Sequence, residues 1–140
     1  DQIDESGTLM TIKSILVEGA PGEMIDKITI LEIKSERIRD KQQLLNVENE
    51  LSILSEKLEK EIPRSSELDA LIAELKAVNE ALWGIEDDIR DCEKNRDFTG
   101  NFTDLARSVY ITNDKRANLK RQINILLGSE IIEEKSYKPY

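Results

Sequence analysis

Apolar residues recur along this chain in alternating steps of three and four, the spacing that lines side chains up on one face of an α-helix. The longest run is Leu68, Leu71, Leu75, Val78, Leu82, Ile85, Ile89 and Cys92, which keeps the rhythm for almost four heptads. It predicts a helix from Glu67 to Asn95, roughly 40 Å long. Leu44, Val47, Leu51, Leu54 and Leu58 carry the same spacing on a preceding helix, capped by Asp40 and running to Ile62. Pro63 with Arg64-Ser65-Ser66 breaks the chain between them, and Ser66 followed by Asp69 resembles a capping start.

Upstream, Gly19-Ala20-Pro21-Gly22 punctuates the chain. Pro21, with Glu23 and Asp26 in the first turn, opens a helix that extends to Arg39. Met24, Ile28, Leu31 and Ile38 form one stripe on it, while Ile25, Ile30 and Ile33 lie on other faces. A helix apolar on several sides is surrounded by neighbours, so this one belongs at the centre. A fourth helix runs from Phe102 to Leu127, where Gly128 stops it. Met10 to Val17, rich in β-branched residues, reads as one short strand, and Ser129 to Tyr140 as a tail that pairs with it or lies along a groove. Short connections favour antiparallel neighbours. The expected fold is an all-α antiparallel helical bundle with long coiled-coil-like hairpins, residues 1–10 being a flexible acidic tail and 11–137 a single domain.

Composition narrows the function classes. The 140 residues carry a formal charge of −9 with no histidine, and 35% of them are charged. A surface of that sign repels a phosphate backbone, which argues against nucleic-acid binding. No apolar run approaches the roughly 20 residues of a membrane-spanning helix, so no membrane insertion is expected. Cys92, the only cysteine, and the lack of a leader-like segment predict a reducing, cytoplasmic setting. Without histidine there is no imidazole base or metal ligand. Glu86 and Glu93 lie about 10 Å apart along a helix, too far to share one ion unless Glu32 or Glu36 joins them. Neither a metal nor a cofactor is expected. Gly19 to Glu23 has the form of a phosphate-binding helix start, but Glu23 opposes an anion there, and a plain turn fits better.

Polar residues interrupt the apolar faces at one level. Asn79, Glu86 and Glu93 repeat every seven residues beside the third helix's seam. On the fourth helix the stripe Phe102, Leu105, Ala106, Val109 and Tyr110 continues as Asn113, Arg116, Ala117 and Lys120, then returns to Ile123. If the two helices fold back near Phe98, Glu86 meets Tyr110 and Asn113, and Asn79 lies near Arg116 and Lys120. Such a layer can fix helix register. It can also form a pocket between helices, in which Arg116, Lys120 and Lys34 hold a small anionic ligand and Glu86 serves as acid or base.

Several motifs carry a resemblance. Pro21-Gly22-Glu23-Met24-Ile25-Asp26-Lys27-Ile28-Thr29-Ile30-Leu31-Glu32-Ile33-Lys34, Asn79-Glu80-Ala81-Leu82-Trp83, Ala106-Arg107-Ser108-Val109-Tyr110 and Thr112-Asn113-Asp114 resemble the signature of a family of uncharacterised bacterial and phage proteins. Gly128-Ser129-Glu130 and Glu133-Glu134-Lys135-Ser136-Tyr137 extend it, so that it spans about Thr11 to Tyr137. The resemblance implies no known activity and an association with surface-polysaccharide biosynthesis. The long heptad-patterned helices, whose apolar seam one hairpin leaves unburied in a monomer, give the expectation of a non-catalytic interaction or accessory protein acting as a homodimer. The alternative is a binder or enzyme for a small anionic ligand, using Asn79, Glu86, Tyr110, Asn113, Arg116, Lys120 and Lys34.

Overall fold

A computed structural model describes residues 2–3 and 9–140. The expected acidic tail, residues 1–10, falls largely outside the described residues. Four helices follow: α1 (Pro21–Arg37), α2 (Lys41–Glu61), α3 (Ser66–Lys94) and α4 (Gly100–Leu126). The protein is an all-α helical bundle. Before the helices, β1 (Gln2–Ile3) and β2 (Leu9–Met10) pair antiparallel, Gln2 opposite Met10. The strand expected over Met10 to Val17 stops at Met10, and residues 11–20 have no regular structure. A strand needs a ladder partner, and among the described residues none runs beside this segment.

Helix ends follow local chemistry. Asp40 caps α2 by accepting from the Gln43 amide at 2.9 Å, and Ser65 caps α3 by accepting from Leu68 at 3.1 Å. The cap is thus Ser65, one residue before the expected Ser66. α3 and α4 both end in paired reverse bonds: Arg96 to Glu93 with Asp97 to Cys92, and Gly128 to Ile125 with Ser129 to Asn124. Both turns need positive φ, which Gly128 supplies at 65° and Arg96 adopts at 53°.

α1 is central, as its several apolar faces imply. It approaches all three other helices, whereas α2 lies against α1 alone and α3 pairs with α4. The core joins Ile25 and Ile28 of α1 to Leu58 and Ile62, Leu68 and Leu75, and Leu119 and Ile123. Outside it the seams are only partly covered. Leu44, Leu51 and Leu54 of α2 are half-buried, because one neighbour cannot enclose a stripe. Val78, Leu82, Ile85 and Ile89 of α3 are half-buried too, because the 17-residue α1 is too short to follow the 29-residue α3. No helix among the described residues is long and apolar enough to cross a membrane.

One glycine sets how closely α1 meets α4. Gly22 is buried, and its amide donates to Asn124 Oδ1 at 2.7 Å. A Cβ there would lie 2.6 Å from the Lys120 carbonyl oxygen and 2.8 Å from Asn124 Oδ1. In an isolated helix Gly22→Ala would help by up to about 1 kcal/mol. Here the backbones must separate and the amide bond is lost, so a destabilisation of about 2–3 kcal/mol is expected in urea unfolding. A neutral or stabilising result would mean the contact is looser than described.

Candidate functional site

Gly22, Asp26, Thr29 and Ile33 follow the 4-3-4 spacing of a helix seam, and all four are buried. Where a seam usually carries leucine, α1 presents a glycine, a carboxylate and a hydroxyl toward α3 and α4. Asp26 is 1% exposed, Thr29 0% and Asn79 5%. Asn79 Nδ2 donates to Asp26 Oδ1 at 2.9 Å and to Thr29 Oγ1 at 2.9 Å. The Thr29 hydroxyl donates to its own helix, to the Asp26 carbonyl at 2.7 Å. From α4, Arg116 Nε donates to Asp26 Oδ1 at 2.9 Å and Nη2 to Oδ2, a two-pronged pair. The pairing with Asp26 pushes the Arg116 guanidinium above its ordinary pKa. No buried side-chain oxygen or nitrogen among the described residues lacks a partner. The junction is saturated: one buried charge is met by one counter-charge and one amide.

A rim of charges lies above it. Lys120 Nζ donates to Glu23 Oε2 at 2.6 Å and lies 3.8 Å from Glu133. The hydrogen bond from Lys120 holds the Glu23 carboxyl below its usual pKa. The segment after α4 has no helix or strand and lies along that helix. Glu134 meets Arg121 at 2.8 Å, and Lys135 meets Asp114 at 2.6 Å. Tyr140 donates its hydroxyl to Asp114 at 2.6 Å and packs edge-on against Tyr110, ring centres 5.0 Å apart. Lys135 first, and then Tyr140, lowers the Asp114 pKa. Of the two courses open to the C-terminal tail, it takes the groove and not the strand. Between segment and helix runs a groove of about 700 Å³, lined by Tyr110, Asn113, Arg116 and Lys120 on one side and by Lys135 and Tyr140 on the other.

The candidate residues therefore divide. Tyr110, Asn113, Arg116 and Lys120 share the groove, and Asn79 lies beneath it, tied to Arg116 through Asp26. Glu86 is exposed, with Arg90 of its own helix 3.9 Å away. It sits two turns beyond Asn79, roughly 10 Å farther along α3. Lys34 is half-buried near the end of α1, where its carbonyl accepts from Ile38, and it makes no ion pair among the described residues. The acid that meets Arg116 is Asp26, not Glu86. Asp26, Thr29, Asn124 and Gly22 were missed as site residues. The available signal was the 4-3-4 stripe of small and polar residues on a helix otherwise rich in isoleucine.

The backbone amides at the start of α1 are occupied. Gly22 is capped across the bundle by Asn124, and Glu23 and Met24 donate to Ala20. No amide there is left for a phosphate. Among the described residues no three carboxylate or thiol groups cluster closely enough to share a metal ion. Cys92 is buried, with Asn101 Nδ2 3.6 Å from its sulfur. Burial, reinforced by Asp97, Asp88 and Asp91, pushes its thiol pKa up, which suppresses the reactive thiolate.

Fold and junction together define a helical-bundle protein whose central helix is held by a buried acid–base pair. The chain belongs to a family of unknown function, DUF6165, whose model matches residues 15–140. No curated protein and no solved structure matches it.

The junction makes a double-mutant test direct. Arg116→Met leaves the Asp26 carboxylate buried and uncompensated, and should cost about 3 kcal/mol in urea unfolding. Adding Asp26→Asn removes that charge and keeps the partner of Asn79, so at least half the loss should return. Lys120→Met should cost less, about 1–2 kcal/mol, because Glu23 is half exposed and remains solvated. Equal losses for Arg116→Met and the double variant would contradict a buried, charge-coupled junction.

Proposed function

We propose that this protein is a non-catalytic interaction protein that acts as a homodimer in the cytoplasm, with the α3–α4 hairpin as a coiled-coil-like frame. The observation that carries this is the apolar surface left in water. Ile12, Ile15, Leu16 and Val17 are 76–88% exposed, and Ile125 is 59% exposed. Clustered apolar surface on a soluble chain marks a contact site. The junction points the same way, since the Asp26 carboxylate is buried and its oxygens are taken by Arg116 and Asn79. An accessory role beside surface-polysaccharide synthesis, implied by the family resemblance, belongs to the same proposal. Sedimentation at micromolar concentration tests it: twice the 16.0 kDa chain mass is expected. A monomer throughout would end the homodimer.

The groove on α4 supports a second role, binding of a small anionic ligand. Arg116 is held rigidly by Asp26 while a third of its side chain stays open, and Asn113 and Lys120 flank it one turn away on either side. An incoming phosphate or carboxylate would have to displace Glu23 and Glu133 from Lys120. Thermal unfolding with inorganic phosphate, nucleotides and dicarboxylates checks this. A true ligand at about a hundred times its Kd should add roughly 2.7 kcal/mol of stability. An unmoved midpoint across the set would discard the role.

A further inference from the structure

Residues 11–19 form no helix or strand and make no backbone–backbone hydrogen bond among the described residues. Their large side chains, Ile12, Ile15, Leu16 and Val17, lie in water. Among the described residues the segment thus carries unpaired amides, unpaired carbonyls and apolar side chains together, the combination that strand addition satisfies. Its exit from the bundle is rigid. Ala20 is 2% exposed, Pro21 fixes its own φ, and the Gly22 amide is tied to Asn124. That anchor sets the arm at the C-terminal end of α4.

The same end carries a second apolar group on the same chain. Ile125 and Leu126 on the last turn of α4, and Ile131 and Ile132 just beyond it, are 38–59% exposed. Arm and patch together expose on the order of 800 Å², which is what each partner contributes to a standard protein interface. The opposite end of the hairpin competes less well. There Ile85, Ile89, Leu105 and Val109 are already half-buried, and Phe98 is the large apolar side chain left exposed.

We infer that residues 11–19 are an exchange arm that docks on the apolar end of a second copy, against Ile125, Leu126, Ile131 and Ile132, while the second copy returns the contact. This rests on the homodimer proposed above and names its interface. A two-fold exchange needs one surface to hold both the knob and its receptor, because such contacts are isologous. Arm and patch on one end of one chain meet that condition. Nine extended residues reach roughly 30 Å, enough to leave their own bundle and lie across a neighbour. The partner is therefore another copy of this chain, and each copy contributes one arm and one patch.

The test uses the full chain and two variants, Ile15→Asp with Leu16→Asp in the arm, and Ile125→Asp in the patch. All three positions are mostly exposed, so helical circular dichroism should be unchanged. Each variant should weaken dimerisation by roughly tenfold or more in sedimentation. Hydrogen exchange on the unaltered protein adds a readout without mutation: the amides of 11–19 should become protected as concentration drives dimer formation. A dimer as tight as the unaltered one in both variants, or one with the arm unprotected, overturns the exchange and leaves the homodimer standing. A monomeric unaltered protein overturns the homodimer itself and leaves the apolar end to a different partner.

Discussion

The bundle is organised by a carboxylate that has no access to water. Asp26 sits where three helices meet, and burying a charge there is tolerable only if its field is answered at close range. Arg116 answers it from α4 and Asn79 from α3, while Thr29 takes the remaining amide hydrogen. Each partner has to arrive from a different helix at a defined height. The junction therefore fixes the register of α3 against α4 and the rotation of α1 between them. A ring of leucines would bury as much apolar surface and tolerate sliding by a turn. A charge network is less forgiving, which is the best-attested use of buried polar groups.

The approach that makes this possible depends on Gly22 and Asn124. Without a side chain at Gly22 the start of α1 lies against the backbone of α4, and Asn124 completes the helix cap that Ala20 has no side chain to provide. Asn124 also gives its carbonyl to Ser129 in the turn that ends α4. One residue thus joins the entry of the first helix to the exit of the last. Stability spreads outward unevenly from there. α2 is held by α1 alone, and the C-terminal segment is held mainly by exposed ion pairs, which individually contribute little. The segment over the groove should accordingly open more readily than the helices beneath it.

This division bears on function. The charged groups around the groove are largely matched: Arg116 by Asp26, Lys120 by Glu23, Arg121 by Glu134 and Lys135 by Asp114. The groove is polar without a strong net field, so a ligand there would compete with the protein's own carboxylates. The apolar groups are not matched in the same way. Ile12, Ile15, Leu16, Val17 and Ile125 stand open where the arm leaves and where α4 ends, as Leu45 and Ile53 do on α2 and Phe98 does before α4. That open apolar surface is what the proposed contact with another protein surface rests on.

The four helices, the Asp40 cap, the Gly128 stop and the central position of α1 were legible in the sequence because they depend on near neighbours. Periodicity, capping and turn preference act within a few residues. Interruption of the apolar stripe drew attention to Asn79 and Arg116 for the same reason. What those residues touch was not legible. Arg116 finds Asp26 90 positions away, and Gly22 finds Asn124 102 positions away. Glu86 looked as good an acid as any and shares Asn79's face of α3, yet it faces water because it lies two turns farther along, past the end of α1. Which stretch of one helix another covers follows from the packing of Ile25, Leu75, Leu119 and Ile123, whose periodicity says that they are buried but not against whom. Local spacing decides which face of a helix is inside. Only the assembled core decides which carboxylate that face brings to an arginine.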